Sequence, residues 1–366
     1  MTTKLFLLLS AYLFSCQEAP REKQHEVEIG KQVQVSVTDS VFRFKGKVLT
    51  IFQDSKGSYW IGSKENGLCK YDGGVYTYFT TKDGLASNAV PYIQEDQSGN
   101  IWLNNGENIT QFDGEQFVVI NKNSIPNADK FPTKLSSSDL WFRDQSKAGI
   151  FRYDGRNLTY ISFESPPLNL RARQSHFFVS GITNVVNNQI WFGTIMQGAV
   201  GIEEGRVSKI DDESIDFHSV EEFFHIRSML LDKKGNLWMG NNGIGVIVRR
   251  GDSLVNFSKE HRQLLPMSDF ERNTNTRDFA SNTGLQAVFA IEEDQKGNIW
   301  FGDRDSGVWK YDGDSLYNYT SIYREDSIDE LVWDIYNDQN DVLYFILVNG
   351  DVFTFDGASF IEFDGF

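Results

Sequence analysis

The chain has 366 residues, with 51 Asp and Glu against 35 Lys and Arg, a net charge of −16 and an aromatic fraction of 14%. Such a negative balance excludes a nucleic-acid backbone as partner, because that needs clustered positive charge and no run of Lys or Arg supplies it. The length fits one large closed unit as well as two ordinary domains, and the aromatic content suits bulky side chains packed between sheets.

From the N-terminus, residues 1–15 read as a targeting segment: Lys4 is the positive end, Leu5 to Phe14 the apolar run, and Leu13-Phe14-Ser15-Cys16 a cleavage region. The pattern resembles a bacterial lipoprotein signal, which implies a lipidated Cys16 and a membrane contact through that anchor alone. Residues 16–32 are polar and read as a tether, leaving 33–366 as the folded domain. Val33 to Phe44 alternates like a strand and is expected to lie beside the first repeat unit. No later segment is long and apolar enough to span a bilayer as a helix. Cys69, next to Leu68 in a strand-like stretch, reads as a buried free thiol, so no disulfide framework is implied.

From residue 48 a unit recurs seven times. It is complete as Asp54/Gly57/Trp60, Asp96/Gly99/Trp102, Asp232/Gly235/Trp238 and Asp294/Gly297/Trp300, and reduced around Trp141, Trp191 and Tyr344. Steps between these aromatics are 42, 39, 50, 47, 62 and 44 residues. Each is followed by a second turn, such as Tyr71-Asp72-Gly73, Phe112-Asp113-Gly114 or Tyr311-Asp312-Gly313. Asp can hydrogen-bond the backbone of the turn it opens, and Gly accepts the positive φ of a tight hairpin. Strand-like stretches between the turns, Val48 to Gln53, Ser58 to Ser63, Gly67 to Tyr71 and Val75 to Thr80, give four strands per unit. The fold class is therefore all-β: a seven-bladed β-propeller of four-stranded antiparallel blades. Units three and four carry Ser136 to Asp139 and Asn187-Asn188 in place of Asp-x-x-Gly, and unit seven carries Asp341 at the glycine position, which read as shortened hairpins.

The Asp-x-x-Gly-x-x-Trp and Tyr-Asp-Gly pieces resemble the two-component regulator propeller repeats, over about residues 48 to 365. Asp96 to Leu103 and Asp294 to Gly302 match that pattern best, and Asp83-Gly84-Leu85-Ala86-Ser87-Asn88 resembles the linker between repeats. The resemblance implies a sensor-type recognition domain from the envelope of Bacteroidetes-type bacteria. Kinase, immunoglobulin-like and membrane-spanning parts of the larger members are not in this sequence. The expected place is the outer membrane, on its periplasmic or surface face.

In a four-stranded meander the Asp-x-x-Gly and Tyr-Asp-Gly turns share one face of the ring, and the variable links share the other. Those links include Glu164 to Gly181, Asp211 to Arg227 and Ser258 to Gln286, against about ten residues near Thr80 to Ala89. Long loops on a rigid scaffold concentrate binding residues. The link face holds Arg171, Arg173, His176 and Phe177, then Phe224, His225 and Arg227, then Arg272, Arg277 and Phe279, with Arg304 and Trp333 beside them. Guanidinium groups bind carboxylate or sulfate and aromatic faces pack on sugar rings, so the expected ligand is an oligosaccharide, neutral or acidic, or another small molecule. The bland alternative is that the aromatics pack between blades and the arginines pair with nearby carboxylates. Trp60, Trp102, Trp238 and Trp300 recur in register and read as packing residues.

No catalytic set is legible, and no cofactor is expected. His218-Ser-Val-Glu221-Glu222-Phe-Phe-His225 holds ligand-type residues at a spacing that no helical zinc motif uses. The chain also resembles the streptogramin lyases in repeat length, a family with histidines and a magnesium ion near the channel. Here His176, His218, His225 and His261 form no ordered set that matches, so no residue carries over. The sequence thus points to a non-catalytic, monomeric recognition propeller, with an envelope-protein docking platform as second reading and a metal-dependent lyase as third.

Overall fold

The computed structural model describes residues 33–36, 46–144, 148–163, 179–195, 197–216, 224–264, 284–319 and 331–365. The targeting segment, Cys16 and the tether lie outside them. The described residues form seven consecutive antiparallel sheets arranged as the blades of a ring. Blades two, four, five, six and seven have the expected four strands in simple meander order.

The recurring aspartates explain the recurrence of the tryptophans. In blade six, Asp294 Oδ1 accepts the backbone N–H of Asn298 at 2.8 Å, while Oδ2 accepts Trp300 Nε1 at 2.9 Å. Asp54, Asp96 and Asp232 bond Trp60, Trp102 and Trp238 in the same way, at 2.8, 2.8 and 2.9 Å. One carboxylate thus closes the first hairpin and satisfies the indole that the neighbouring blade buries. The second aspartates, at Asp113, Asp154, Asp312 and Asp356, each accept two backbone N–H groups of their own turn. Asn187, Asn188 and Asp341 adopt positive φ (51°, 60° and 63°). The hairpin of blade four is short as expected, whereas that of blade seven spans Asn337 to Leu343, as long as the Asp-x-x-Gly turns, with Asp341 taking the glycine's left-handed backbone.

Seven apolar clusters, one at each blade interface, form the core. The ring closes between blades seven and one without sharing a sheet. Blade seven supplies all four of its own strands, and Val48, Ile51, Ile61 and Cys69 pack against Tyr344, Ile346 and Val352. Tyr59 Oη donates to Asp338 at 2.6 Å and the Gln339 side chain to the carbonyl of Asp54 at 2.9 Å across this seam. Cys69 is a buried free thiol, and burial pushes its pKa up to about 12. Val33–Ser36 pairs with the outer strand of blade one, Val75–Phe79, as a fifth strand at its edge.

Blade three departs from the pattern. Among the described residues it holds three strands, Leu140–Arg143, Gly149–Tyr153 and Leu158–Ser162, and the stretch from Lys122 to Asp139 forms no inner strand. That stretch instead lies on the blade's outer edge, where Tyr160 N bonds the Pro126 carbonyl and Ala128 N the Tyr160 carbonyl, then passes Asn188 of blade four. Pro126 and Pro132 interrupt it, and it lacks the alternation that would bury one face against the channel. The turn at Ser136 to Asp139 therefore precedes the first strand of its blade rather than joining two.

Side chains of blade two stand in for the absent strand. The Gln94 amide donates from Nε2 to the Trp141 carbonyl (2.9 Å) and accepts the Trp141 N–H at Oε1 (3.2 Å), as a peptide group would. Asn104 Nδ2 and buried Lys122 Nζ both donate to the Arg143 carbonyl, at 3.2 and 2.8 Å. Burial draws the Lys122 pKa down to about 8.

Candidate functional site

The inner strands share one irregularity. In blades one, four, five, six and seven the ladder to the second strand slips by one residue near its start, leaving Leu49, Ser180, Arg227, Phe289 and Trp333 unpaired. These are β-bulges, and a bulge re-aims the extra side chain. Pro91 holds the same place in blade two, five residues ahead of its aspartate. All six residues line a cavity of about 500 Å³ in the channel at the link face. Glycines of the second strands allow the inner strands to crowd here. A Cβ on Gly240 would lie 2.2 Å from Ser228 Oγ and 2.7 Å from the Val288 carbonyl oxygen.

Blade three has Arg143 where blades one, four, five and six have that glycine, two residues past the tryptophan. Its guanidinium enters the cavity, lies 4.3 Å from the Tyr92 ring centroid and donates to Tyr92 Oη. Arg227, two blades on, lines the same cavity and lies 4.8 Å from the Phe289 ring centroid. Trp333 is 41% exposed, far more than the repeat tryptophans, and borders the same cavity. Deeper in, Glu292 and Asp334 face the channel together. Burial and the neighbouring Asp334 push Glu292 up to about 8, and burial pushes Asp334 up to about 7 against the pull of Arg143. Both carboxyls are thus held well above the usual carboxylate range.

At the margin between blades five and six, Arg304 Nη1 donates to Asn242 Oδ1 at 3.3 Å and its Nε and Nη2 bind Asp305. His225 precedes the inner strand of blade five. Its Nε2 is buried with no hydrogen-bond partner among the described residues, and the same is true of Arg227 Nε, Asn241 Nδ2 and the Gln286 amide. Burial and Arg227 draw the His225 pKa down to about 4, keeping it neutral.

Of the residues expected from sequence to bind ligand, Arg227 and Trp333 line the mouth cavity, while His225, two residues before Arg227, and Arg304, whose charge acts on Arg227, are not part of its lining. Arg171, Arg173, His176, Phe177, Arg277 and Phe279 lie outside the described residues, as do Arg272, His218, Glu221 and Glu222. Phe224 is buried core between blades four and five. Tyr92, Arg143, Phe289, Glu292 and Asp334 were not anticipated. The position five residues ahead of the box aspartate would have flagged Phe289 and Trp333 alike, and the Gly-to-Arg change in blade three would have flagged Arg143. Among the described residues no three His, Cys, Asp or Glu side chains are grouped to hold a metal ion. His261 bonds the Phe257 carbonyl and packs on Phe257 and Tyr311 between blades five and six, where it shares no partner with His225.

A second cavity, of about 240 Å³, occupies the slot left beside Trp141 and Arg143 by the absent inner strand. It is walled by Gln94 and Asn104 of blade two and Ile182, Thr183 and Asn184 of blade four, and it shares Tyr92, Arg143 and Ile182 with the mouth cavity.

No protein-family model matches the chain, and no curated protein sequence does. Solved structures do resemble it. The extracellular domain of a hybrid two-component system from B. thetaiotaomicron superposes with a TM-score of 0.54 at 19% identity, over 88% of this chain and 39% of that one. The chain thus spans well under half the length of that neighbour. Virginiamycin B lyase from Staphylococcus aureus gives 0.58 at 14% identity, covering 88% of this chain and 97% of the lyase. YCF48 with a D1 peptide bound gives 0.50 at 10% identity over 88% and 94%. At these identities the likeness establishes the propeller fold.

Proposed function

We propose that this chain is a sensor-type recognition propeller of the bacterial envelope, held there by lipidated Cys16, that binds an oligosaccharide at the channel mouth on its link face. One observation carries the reading: six blades aim the same register position into one cavity, where the residues include exposed Trp333, Phe289 and Arg227. The cavity lies within the usual size of small-ligand sites, and it combines aromatic faces with convergent polar groups. Ladder slippage repeated in five sheets costs pairing and turns the extra side chain towards the channel, which fits a role at the site. The sensor-domain neighbour supports the choice of class.

The test is a thermal-shift and calorimetric screen of the chain against neutral and acidic oligosaccharides. A ligand at a hundred times its Kd stabilises by about 2.7 kcal/mol. Trp333→Ala is expected to abolish the shift with little change in the unliganded melting temperature, because the ring is exposed. A shift that survives Trp333→Ala undiminished would remove the mouth as the site.

A second reading, a docking platform for an envelope protein, is favoured by the slot of blade three. The Gln94 amide occupies the peptide-bonding position there, and a neighbouring fold is known with a peptide bound. An extended segment that displaced Gln94 could pair with Trp141.

A further inference from the structure

The glycan reading leaves open which group of the ligand is recognised, and the polar inventory of the mouth bears on that. Arg227 is half-buried at its bulge and stacked on Phe289, with no acidic side chain paired to it among the described residues. Burial and the like charge of Arg304 both draw its pKa down, so its surroundings work against the cation. In a chain of net charge −16 carboxylates abound, yet among the described residues none forms an ion pair with this one. Beside it His225 is neutral and has a buried ring nitrogen without a partner, and Asn241, next to it in the sheet, has an unpartnered buried amide nitrogen. Among the described residues these buried polar atoms have no partner. A half-buried cation and adjacent unpartnered polar groups cost stability, and an anionic ligand would offset that cost.

Resting on the recognition reading above, we propose that this edge of the mouth is an oxyanion subsite: Arg227, with His225 beside it, receives a carboxylate or sulfate group of a sugar whose ring lies against Trp333. Guanidinium on an aromatic face presents its N–H edge in a fixed plane, which suits a two-oxygen anion. The carboxyl pair Glu292–Asp334 lines the same cavity, so a second negative charge placed deep in the channel would be repelled. The favoured ligand therefore brings one acidic group to the mouth, with hydroxyls rather than charges towards the pair.

The experiment is calorimetric titration of the purified chain with three probes: a disaccharide carrying a single uronate, a monosulfated disaccharide and neutral cellotriose. At least one charged probe is expected to bind more tightly than cellotriose, more weakly as NaCl is raised. Arg227→Ala should weaken the charged probe about tenfold or more and leave any cellotriose binding unchanged, while Arg227→Lys should keep part of the affinity. The uronate and sulfate arms distinguish the two sources of the anion. Equal binding of charged and neutral sugars, or charged-sugar affinity indifferent to Arg227→Ala but lost in Trp333→Ala, overturns the subsite and leaves the glycan reading standing. Failure of all three probes to bind overturns both.

Discussion

The two faces of the ring treat polar groups in opposite ways. On the turn face each aspartate is spent on its own structure: Asp96 accepts two backbone N–H groups, the Asn100 amide and the Trp102 indole, and is buried. On the link face His225, Arg227, Asn241 and Gln286 keep buried polar atoms without partners among the described residues, and two carboxyls share the channel. The same β-meander builds both. The turn face serves the fold, with Trp141 Nε1 and Asn337 Oδ1 its unpartnered exceptions among the described residues, while the link face gathers such groups around one cavity, as a recognition site needs and a scaffold avoids.

The contrast is broken most severely at the turn face. Asp294→Ala removes the acceptor for Trp300 Nε1 and for both the backbone and side-chain nitrogens of Asn298, and leaves a buried indole donor unpaired between blades six and seven. A loss of about 3 kcal/mol is expected, combining charged hydrogen bonds with the desolvated donor. Denaturant unfolding should show it as a lower midpoint, and an unchanged midpoint would mean that the carboxylate does not hold the indole.

Blade three sharpens the comparison because its edge is satisfied by side chains alone. Gln94→Ala strips both peptide groups of Trp141 of their partners at once and enlarges the slot. Water can enter from the channel, so the expected cost is smaller, about 1 to 2 kcal/mol. Amide hydrogen exchange should accelerate at Trp141 more than at Trp191, whose N–H is held by Thr183 Oγ1 at 3.0 Å in a complete blade. Equal protection at the two tryptophans would show that Gln94 is dispensable.

These cases also mark what the sequence could reveal. The period, the blade count and the turn aspartates were legible because each rests on local chemistry repeated several times. The free thiol at Cys69 and the extra strand at Val33–Ser36 followed from simple alternation. Blade three was overcounted by analogy, although Pro126, Pro132 and the polar run around them contradicted an inner strand. The mouth was half legible. Arg227 and Trp333 stood out by residue type, but Phe289 and Asp334 point into the channel only because the ladder slips, and no propensity encodes a slip of register. Arg143 was legible as a break in the glycine position, but its entry into the channel depends on a different non-local cause, the inner strand that blade three lacks.

The smallest expected effect has the opposite sign, and so tests the comparison most directly. Glu292 is held by burial and Asp334 with its pKa raised to about 8, above the ordinary carboxylate range. The folded chain then binds the proton more tightly than the unfolded chain, so stability declines as pH rises from about 4.5 to about 8 and the full penalty applies above that. Glu292→Gln keeps the shape and removes the charge. It should match the parent chain near pH 4 and exceed it at pH 8.5 by about 1 kcal/mol, a figure kept low because the channel admits solvent. Removing any negative charge from so acidic a chain relieves some repulsion, so the control is Glu115→Gln on the exposed rim of blade two. If Glu115→Gln gains as much at pH 8.5 as Glu292→Gln, the carboxyl pair is no more strained than the surface, and the distinction between the two faces loses its electrostatic half. If only the channel variant gains, the mouth is a place where the fold gives up stability, as a site awaiting a ligand would.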